Sequence, residues 1–401
     1  MFRIIGDKTE RADEPKETNA NVMVEKISVM PSLSNRQDKS LDYLRAIAAL
    51  LVVGFHASII YPKIPAISNW PFFAVIRQGY TGVSLFLVLS GFLFMKLGLE
   101  RGFPEKIKNF YLNRLLRVGP LFLVIFILAT AINRNSFEPG DLIYLLVTNI
   151  GSPPTSDQFI TGTAWTISLE LFFYLIFPFL GKFAQKSGLK YLAKLIVIAL
   201  FLKAALYISS ENFQLAMYST LIGRIDQFLF GMAGAIIVHN KIIRIDKWKA
   251  RLLSSGLALL LIPYSIWLEG HSPLGSNENT YFWLLIPSAE ALLFTGIIIF
   301  AFEGCTRYIK AIDSPLTKIA ASSYSLYLLH PAALKLVEWL SDRSNYLNLT
   351  IPIELVAIFG LALSLFIAEI SYQTIEKPFL KLKKPETVSL NTTIKQNISI
   401  Q

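Results

Sequence analysis

Long apolar runs with almost no charge inside them constrain this chain more than any other feature. From residue 42 onward, stretches of roughly twenty residues recur in which nearly every side chain is apolar. Such a stretch, wound as a helix, matches the ~30 Å hydrocarbon core of a bilayer. Composition agrees: 53% of residues are hydrophobic and only 16% charged, against about 25% charged in an ordinary soluble protein. A soluble fold would lack the charged exterior to hide so much apolar surface. The expectation is an all-α, polytopic integral membrane protein. The single cysteine, Cys305, excludes an internal disulfide.

Ten spans are read from the apolar pattern, at about 42–60, 80–97, 114–132, 163–181, 190–208, 213–238, 250–268, 281–302, 318–339 and 349–374. A short amphipathic piece at 141–150 reads as lying on the surface. The connecting segments test this count. Segments 96–117, 182–194, 239–251, 303–318 and 377–384 hold six, four, five, three and four Lys or Arg, while 61–79, 133–162, 209–212, 269–280 and 340–348 hold two, one, none, none and one. The alternation never breaks, and the positive-inside rule then places both termini in the cytoplasm. It also accounts for the net charge of +10 without nucleic acid as a partner. Residues 1–40, with seven basic and seven acidic side chains, read as a polar cytoplasmic tail without the apolar core of a signal peptide. Residues 41–380 form the membrane domain and 381–401 a second polar tail. No internal repeat is evident.

Polar residues inside the spans point to chemistry. In the first span Arg45 and His56 are eleven residues apart, about 16 Å and three turns along a helix, hence on nearly one face. A charge facing lipid costs a few kcal/mol, so both are expected to face the bundle interior. Imidazole exchanges a proton near neutral pH, and guanidinium suits phosphate or carboxylate. The second span offers Ser90-Gly91, as a hydroxyl or as a place for close helix packing. Arg114 and Arg117 open the third span from one face and suit the phosphates of a nucleotide-like ligand. Glu170 follows an interfacial Trp165 at a depth like that of His56, and could orient a histidine or bind a hydroxyl. Arg224 and Asp226 are two apart, so each needs a partner on another helix. Tyr327 and His330 sit in the outer half of the ninth span. Glu290 and Glu369 are buried acids without an evident partner; Glu376 lies at the cytoplasmic edge, and His239 and His271 read as surface residues. Metal-ligand spacings, a Walker loop and a G-x-S-x-G elbow are all absent.

In order along the chain stand R-x10-H, "GVSLFLVLSGFL", "NRLLRVGP", "WTISLELFFYLIFP", "SYSLYLLH" and "IEKP". This series resembles the membrane-bound acyltransferase-3 family, bacterial O-acyltransferases of O-antigen, exopolysaccharide, Nod factors and some macrolides. The resemblance covers about residues 40–380. Ser84 stands where the family usually has Asp, Thr166 where Ser is usual, Leu171 where a second Glu is common, and Gly119 where an aromatic often precedes the proline. An esterase-like domain, fused to some relatives, is not expected from the residues that follow the tenth span.

The resemblance implies a multi-pass protein of the inner (plasma) membrane. It would transfer an acyl group from cytoplasmic acyl-CoA, usually acetyl-CoA, to a hydroxyl of a lipid-linked or surface glycan, with no permanently bound cofactor. It maps His56 as catalytic base, Arg45, Arg114 and Arg117 as donor-binding, and Trp165, Ser168 and Glu170 as its tryptophan–serine–glutamate motif. On this reading Glu170 orients His56 or stabilises its cation. Ser90, Tyr327 or a backbone amide serves the oxyanion, and Trp165, Ser168, Arg224, Asp226 and His330 belong with them to an oxyanion or acceptor site. An acyl-histidine intermediate is the main variant. A small-molecule acceptor such as a macrolide is an alternative, and a lipid-linked glycan transporter or flippase is the rival of a different class.

Overall fold

The computed structural model describes residues 36–61, 70–103, 107–132, 163, 165–274, 281–305, 310–346 and 351–384. The amphipathic piece expected at 141–150 and most of both polar tails lie outside them. Every described element is helical: α1 (Arg36–Ile60), a 3-10 turn (Pro71–Phe73), α2 (Ala74–Arg77), α3 (Thr81–Arg101), α4 (Ile107–Ile132), α5 (Trp165–Ser209), α6 (Phe213–Ser219), α7 (Leu221–His239), α8 (Lys247–Leu259), α9 (Leu261–Glu269), a 3-10 turn (Tyr281–Leu284), α10 (Ile286–Gly304), α11 (Lys310–Ala321), α12 (Ser323–Tyr346), α13 (Ile353–Ser371), a π-helical turn (Tyr372–Glu376) and α14 (Lys377–Leu380).

Eight helical stretches are long and apolar enough to cross a membrane, α8 with α9 and α13 through α14 each counting as one. The chain is therefore an all-α, multi-pass membrane protein. α5 is 45 residues long but breaks at Gly188, whose φ of 65° and ψ of −154° end one helix and start another. Only glycine adopts that backbone cheaply, and the break falls between the stretches expected as spans at 163–181 and 190–208. α12 is long enough to cross but is not among the eight; His330 and Pro331 interrupt its apolar face, and Lys335, Glu338, Asp342 and Arg343 lie in its second half.

Several expected boundaries shift for local reasons. α1 starts at Arg36, with Asp38 in its first turn, where a carboxylate complements the helix dipole. The span expected at 213–238 is bent at Thr220, which is extended and caps α7 by accepting from the Gly223 N–H at 3.3 Å. The span expected at 318–339 starts at Ser323; the preceding α11 is separate and amphipathic, and lies along α1.

α3 and α7 form the centre, each with two thirds of its spanning window buried. Glycines let their backbones touch. A Cβ on Gly231 would stand 2.0 Å from the Val88 carbonyl oxygen, and one on Gly91 would stand 2.1 Å from that of Phe228. Gly91 is thus explained by packing. α5 and α10 flank α7, α1 packs on α3, and α12 with α13 packs against α1.

Candidate functional site

α1, α3, α4, the start of α5 and the start of α12 enclose a cavity of about 220 Å³. Arg45, Arg114 and Arg117 line it together with Ser90, Thr166, Glu170, Tyr174, Tyr324 and Tyr327, against an apolar wall from α3 that includes Phe86 and Phe94. Three residues that the sequence placed on two different helices as anion binders therefore meet in one space. Arg114 lies over the Phe94 ring at 4.5 Å and the Phe110 ring at 5.1 Å, which fixes the guanidinium plane through cation–π contact. Arg45 pairs with Asp42 one turn below, at 3.0 Å. Tyr324 anchors the start of α12 by donating to the Val118 carbonyl of α4 at 2.8 Å. Glu170 accepts from the Tyr174 hydroxyl, and its charge acts on both Arg45 and Arg117. Three guanidinium groups face one carboxylate, so the cavity favours an anionic guest.

Beyond this cavity two imidazoles meet. The rings of His56 on α1 and His330 on α12 are 4.8 Å apart, with planes crossed at 66°. Tyr327 links the two regions: it lines the cavity, and its ring lies 6.2 Å from that of His330 and 6.4 Å from that of Phe86. His56 Nδ1 stands 2.9 Å from the Val52 carbonyl oxygen, and His330 Nδ1 stands 3.0 Å from that of Leu326. A carbonyl oxygen only accepts, so each Nδ1 carries the hydrogen and each neutral ring keeps its lone pair on Nε2. His330 is fully buried, and its Nε2 has no hydrogen-bond partner among the described residues.

This geometry differs from the expectation for Glu170. Its hydrogen bond is to Tyr174 and it lines the cavity with the arginines, while His56 is oriented by the Val52 carbonyl. Of the two places expected for His330, an oxyanion or an acceptor site, its neutral tautomer suits the acceptor site, having a lone pair and no free N–H to offer. Ser90 and Tyr327 do line the cavity. Trp165 packs on Tyr218, with ring centroids 5.2 Å apart, and Ser168 donates to the Trp165 carbonyl at 2.7 Å; neither lines the cavity.

Arg224 and Asp226 lie elsewhere again, in a buried ionic network between α3, α5, α7, α9 and α10. Arg224 donates to Tyr218 O at 2.6 Å and Ser84 Oγ at 2.7 Å, and stands 3.5 Å from Glu290. Glu290 also accepts from Ser84 and from Tyr264, the latter at 2.6 Å. Asp226 pairs with Lys203 at 2.7 Å and accepts from Ser288. Ser84, the departure from the expected Asp, thus bridges a cation and an anion on two other helices. Glu369 has a helix-neighbour partner, Gln373, at 2.8 Å, and Glu376 accepts from Ser325 on α12.

Sequence reasoning missed Tyr174, Tyr324 and Lys203. Tyr174 follows Glu170 by one turn and Tyr324 precedes Tyr327 by three, so helical spacing signalled both. A lone lysine in a span carries no such signal. Among the described residues no cluster of His, Cys, Asp or Glu could hold a metal ion.

Comparison with known proteins gives a consistent result. Residues 38–369 match the family described as an acyltransferase domain. The peptidoglycan O-acetyltransferase OatA of Listeria monocytogenes is 27% identical over 382 residues, covering 87% of this chain and 56% of its own length. The O-acetyltransferase OatA of Staphylococcus aureus is 26% identical over 386 residues, covering 87% and 58%. A Caenorhabditis elegans protein, regulator of hypoxia-inducible factor 1, is 27% identical over 424 residues, covering 88% and 82%. The chain spans under three fifths of the length of these two bacterial relatives. No solved structure matches it.

Proposed function

Because the chain belongs to the acyltransferase-domain family, we propose that it is a membrane O-acyltransferase using acyl-CoA, with acetyl-CoA the first donor to test. The acceptor is a hydroxyl of a cell-surface or lipid-linked glycan, of the O-antigen or exopolysaccharide kind. The names of the bacterial relatives add peptidoglycan to the acceptors worth testing. The protein sits in the inner membrane with ten passes and both termini in the cytoplasm. The observation that carries this reading is the cavity of Arg45, Arg114 and Arg117, open to the apolar α3 wall and joined through Tyr327 to two imidazoles.

The arginines hold the donor's phosphates through charge-assisted hydrogen bonds. The thin pantetheine arm follows the apolar wall and brings the thioester to the histidines. His56 Nε2 takes the proton of the acceptor hydroxyl as its oxygen attacks the thioester carbonyl. The C–S bond breaks, coenzyme A leaves as thiolate, and the imidazolium returns the proton to it. The hydroxyl of Tyr327 or Ser90 donates to the developing oxyanion. Glu170 sets the arginine geometry through Tyr174 and so acts on donor binding.

The deciding experiment measures acetyl-CoA turnover by membranes carrying wild type or His56→Ala at matched protein level, following thiol release and label incorporated into glycan together. Wild type should transfer label and His56→Ala should not. Equal transfer by both makes His56 structural and removes the mechanism. No transfer by wild type with any glycan, together with movement of lipid-linked glycan across the bilayer, replaces the enzyme by a flippase.

A further inference from the structure

His330 is not used by the reaction just described. It is 0% exposed, its Nε2 is unpartnered among the described residues, and it lies against the proposed base. A buried polar atom with no partner costs about 1–3 kcal/mol, a cost that a ligand reaching His330 Nε2 beside the proposed base would relieve. Its tautomer says what kind of ligand. With Nδ1–H committed to the Leu326 carbonyl, neutral His330 offers only an acceptor, and so does His56 with its Nδ1–H on Val52. The pair thus presents two lone pairs and no free N–H.

One hydroxyl has one proton and satisfies one lone pair. The ring planes cross at 66°, and each lone pair lies in its own ring plane, so the two aim along different lines. Two separate donors on one ligand are needed to meet both. We propose that His330 is a specificity-determining residue that accepts a hydrogen bond from a second hydroxyl next to the one being acylated. The acceptor is then a diol-bearing sugar rather than an isolated alcohol. This rests on the acyl-transfer reading: His56 deprotonates the reacting hydroxyl, and His330 fixes its neighbour without changing protonation state. A neutral His330 serves this arrangement, since a proton on it would turn its lone pair into a donor and oppose the charge that His56 gains as base.

The test uses membranes carrying the protein, labelled acetyl-CoA, a methyl hexopyranoside, and the matched deoxy sugar lacking the hydroxyl beside the acylated position. Wild type should prefer the full sugar by about tenfold in kcat/KM, the worth of one hydrogen bond near 1.4 kcal/mol. His330→Leu should lose the preference, acylating both sugars at similar low rates. His330→Gln, which keeps an acceptor oxygen, should retain most of it. A merely structural His330 would lower both rates together in Leu and Gln variants and leave the ratio unchanged, which overturns the proposal. Equal use of the two sugars by wild type overturns it as well, and decides the matter even if neither variant accumulates. Absence of acylation of any sugar by wild type is a different result: it sinks the enzyme reading on which the proposal stands.

Discussion

Replacing Lys203 with methionine should cost the fold more than removing any exposed ion pair. Lys203 Nζ and Asp226 Oδ2 are 2.7 Å apart, and both side chains are 0% exposed. At an effective dielectric of about 20 their attraction is about 6 kcal/mol, most of it spent on removing both charges from water. The net worth of the pair is therefore small, but deleting one partner leaves the other uncompensated. In Lys203→Met, Asp226 keeps only Ser288 as a donor, its second oxygen already having none among the described residues. The expected loss is about 3–5 kcal/mol. The double variant Lys203→Met/Asp226→Leu removes the orphaned charge and should recover to within about 2 kcal/mol of wild type, since a packed apolar pair replaces a buried ion pair at little cost. Purified protein in detergent micelles, unfolded in an SDS titration and followed by tryptophan fluorescence, gives the three stabilities. If the double variant is no more stable than Lys203→Met, or if Lys203→Met loses less than about 1 kcal/mol, the orphaned-charge reasoning is wrong.

Three further outcomes follow from particular contacts. Gly231→Val places a Cβ 2.0 Å from the Val88 carbonyl oxygen and 2.9 Å from Phe92 N; backbone on both sides cannot yield, so folded yield in membranes should collapse, with a cost of about 3 kcal/mol or more. Arg117→Met removes a cavity guanidinium and should raise the KM for acetyl-CoA about tenfold or more, with kcat changed far less, because charge-assisted hydrogen bonds to phosphate are worth about 1.5–3 kcal/mol. Asp313 accepts from Lys39 at 2.7 Å and from the Tyr43 hydroxyl at 2.6 Å, and the Lys39 hydrogen bond, then that of Tyr43, holds its carboxyl below the usual range. A depressed carboxyl contributes stability above its unfolded value near 3.9 and loses it as pH falls through the folded one. Amide exchange in α11 should therefore speed up below about pH 4 in wild type relative to its expected pH trend, and Asp313→Asn should remove that extra step.

The sequence located the cavity-lining side chains better than it located their partners. Arg45, Arg114 and Arg117 were legible because a fixed cation in a span must face protein or water, and all three line one cavity. Ser90 and Tyr327 were legible only as polar side chains within spans, and both line the same cavity. Glu170 was legible as a buried acid but not in its company: helix spacing shows which residues share its own helix face, and says nothing of which other helix that face meets. His330 beside His56, and Lys203 beneath Asp226, were invisible as pairs for that reason.

What the sequence determined alone is the class of the protein. Runs of twenty apolar residues admit few structures besides membrane helices, and loop charge supports an orientation. These are local properties, set by hydration and by backbone φ and ψ. Tertiary structure decided the site: that α1 and α12 cross where two imidazoles touch, that three arginines converge, and that Arg224 and Asp226 stabilise the bundle away from the cavity. Those facts depend on how side chains from distant segments pack, and in α3 and α7 on glycines that let two backbones meet.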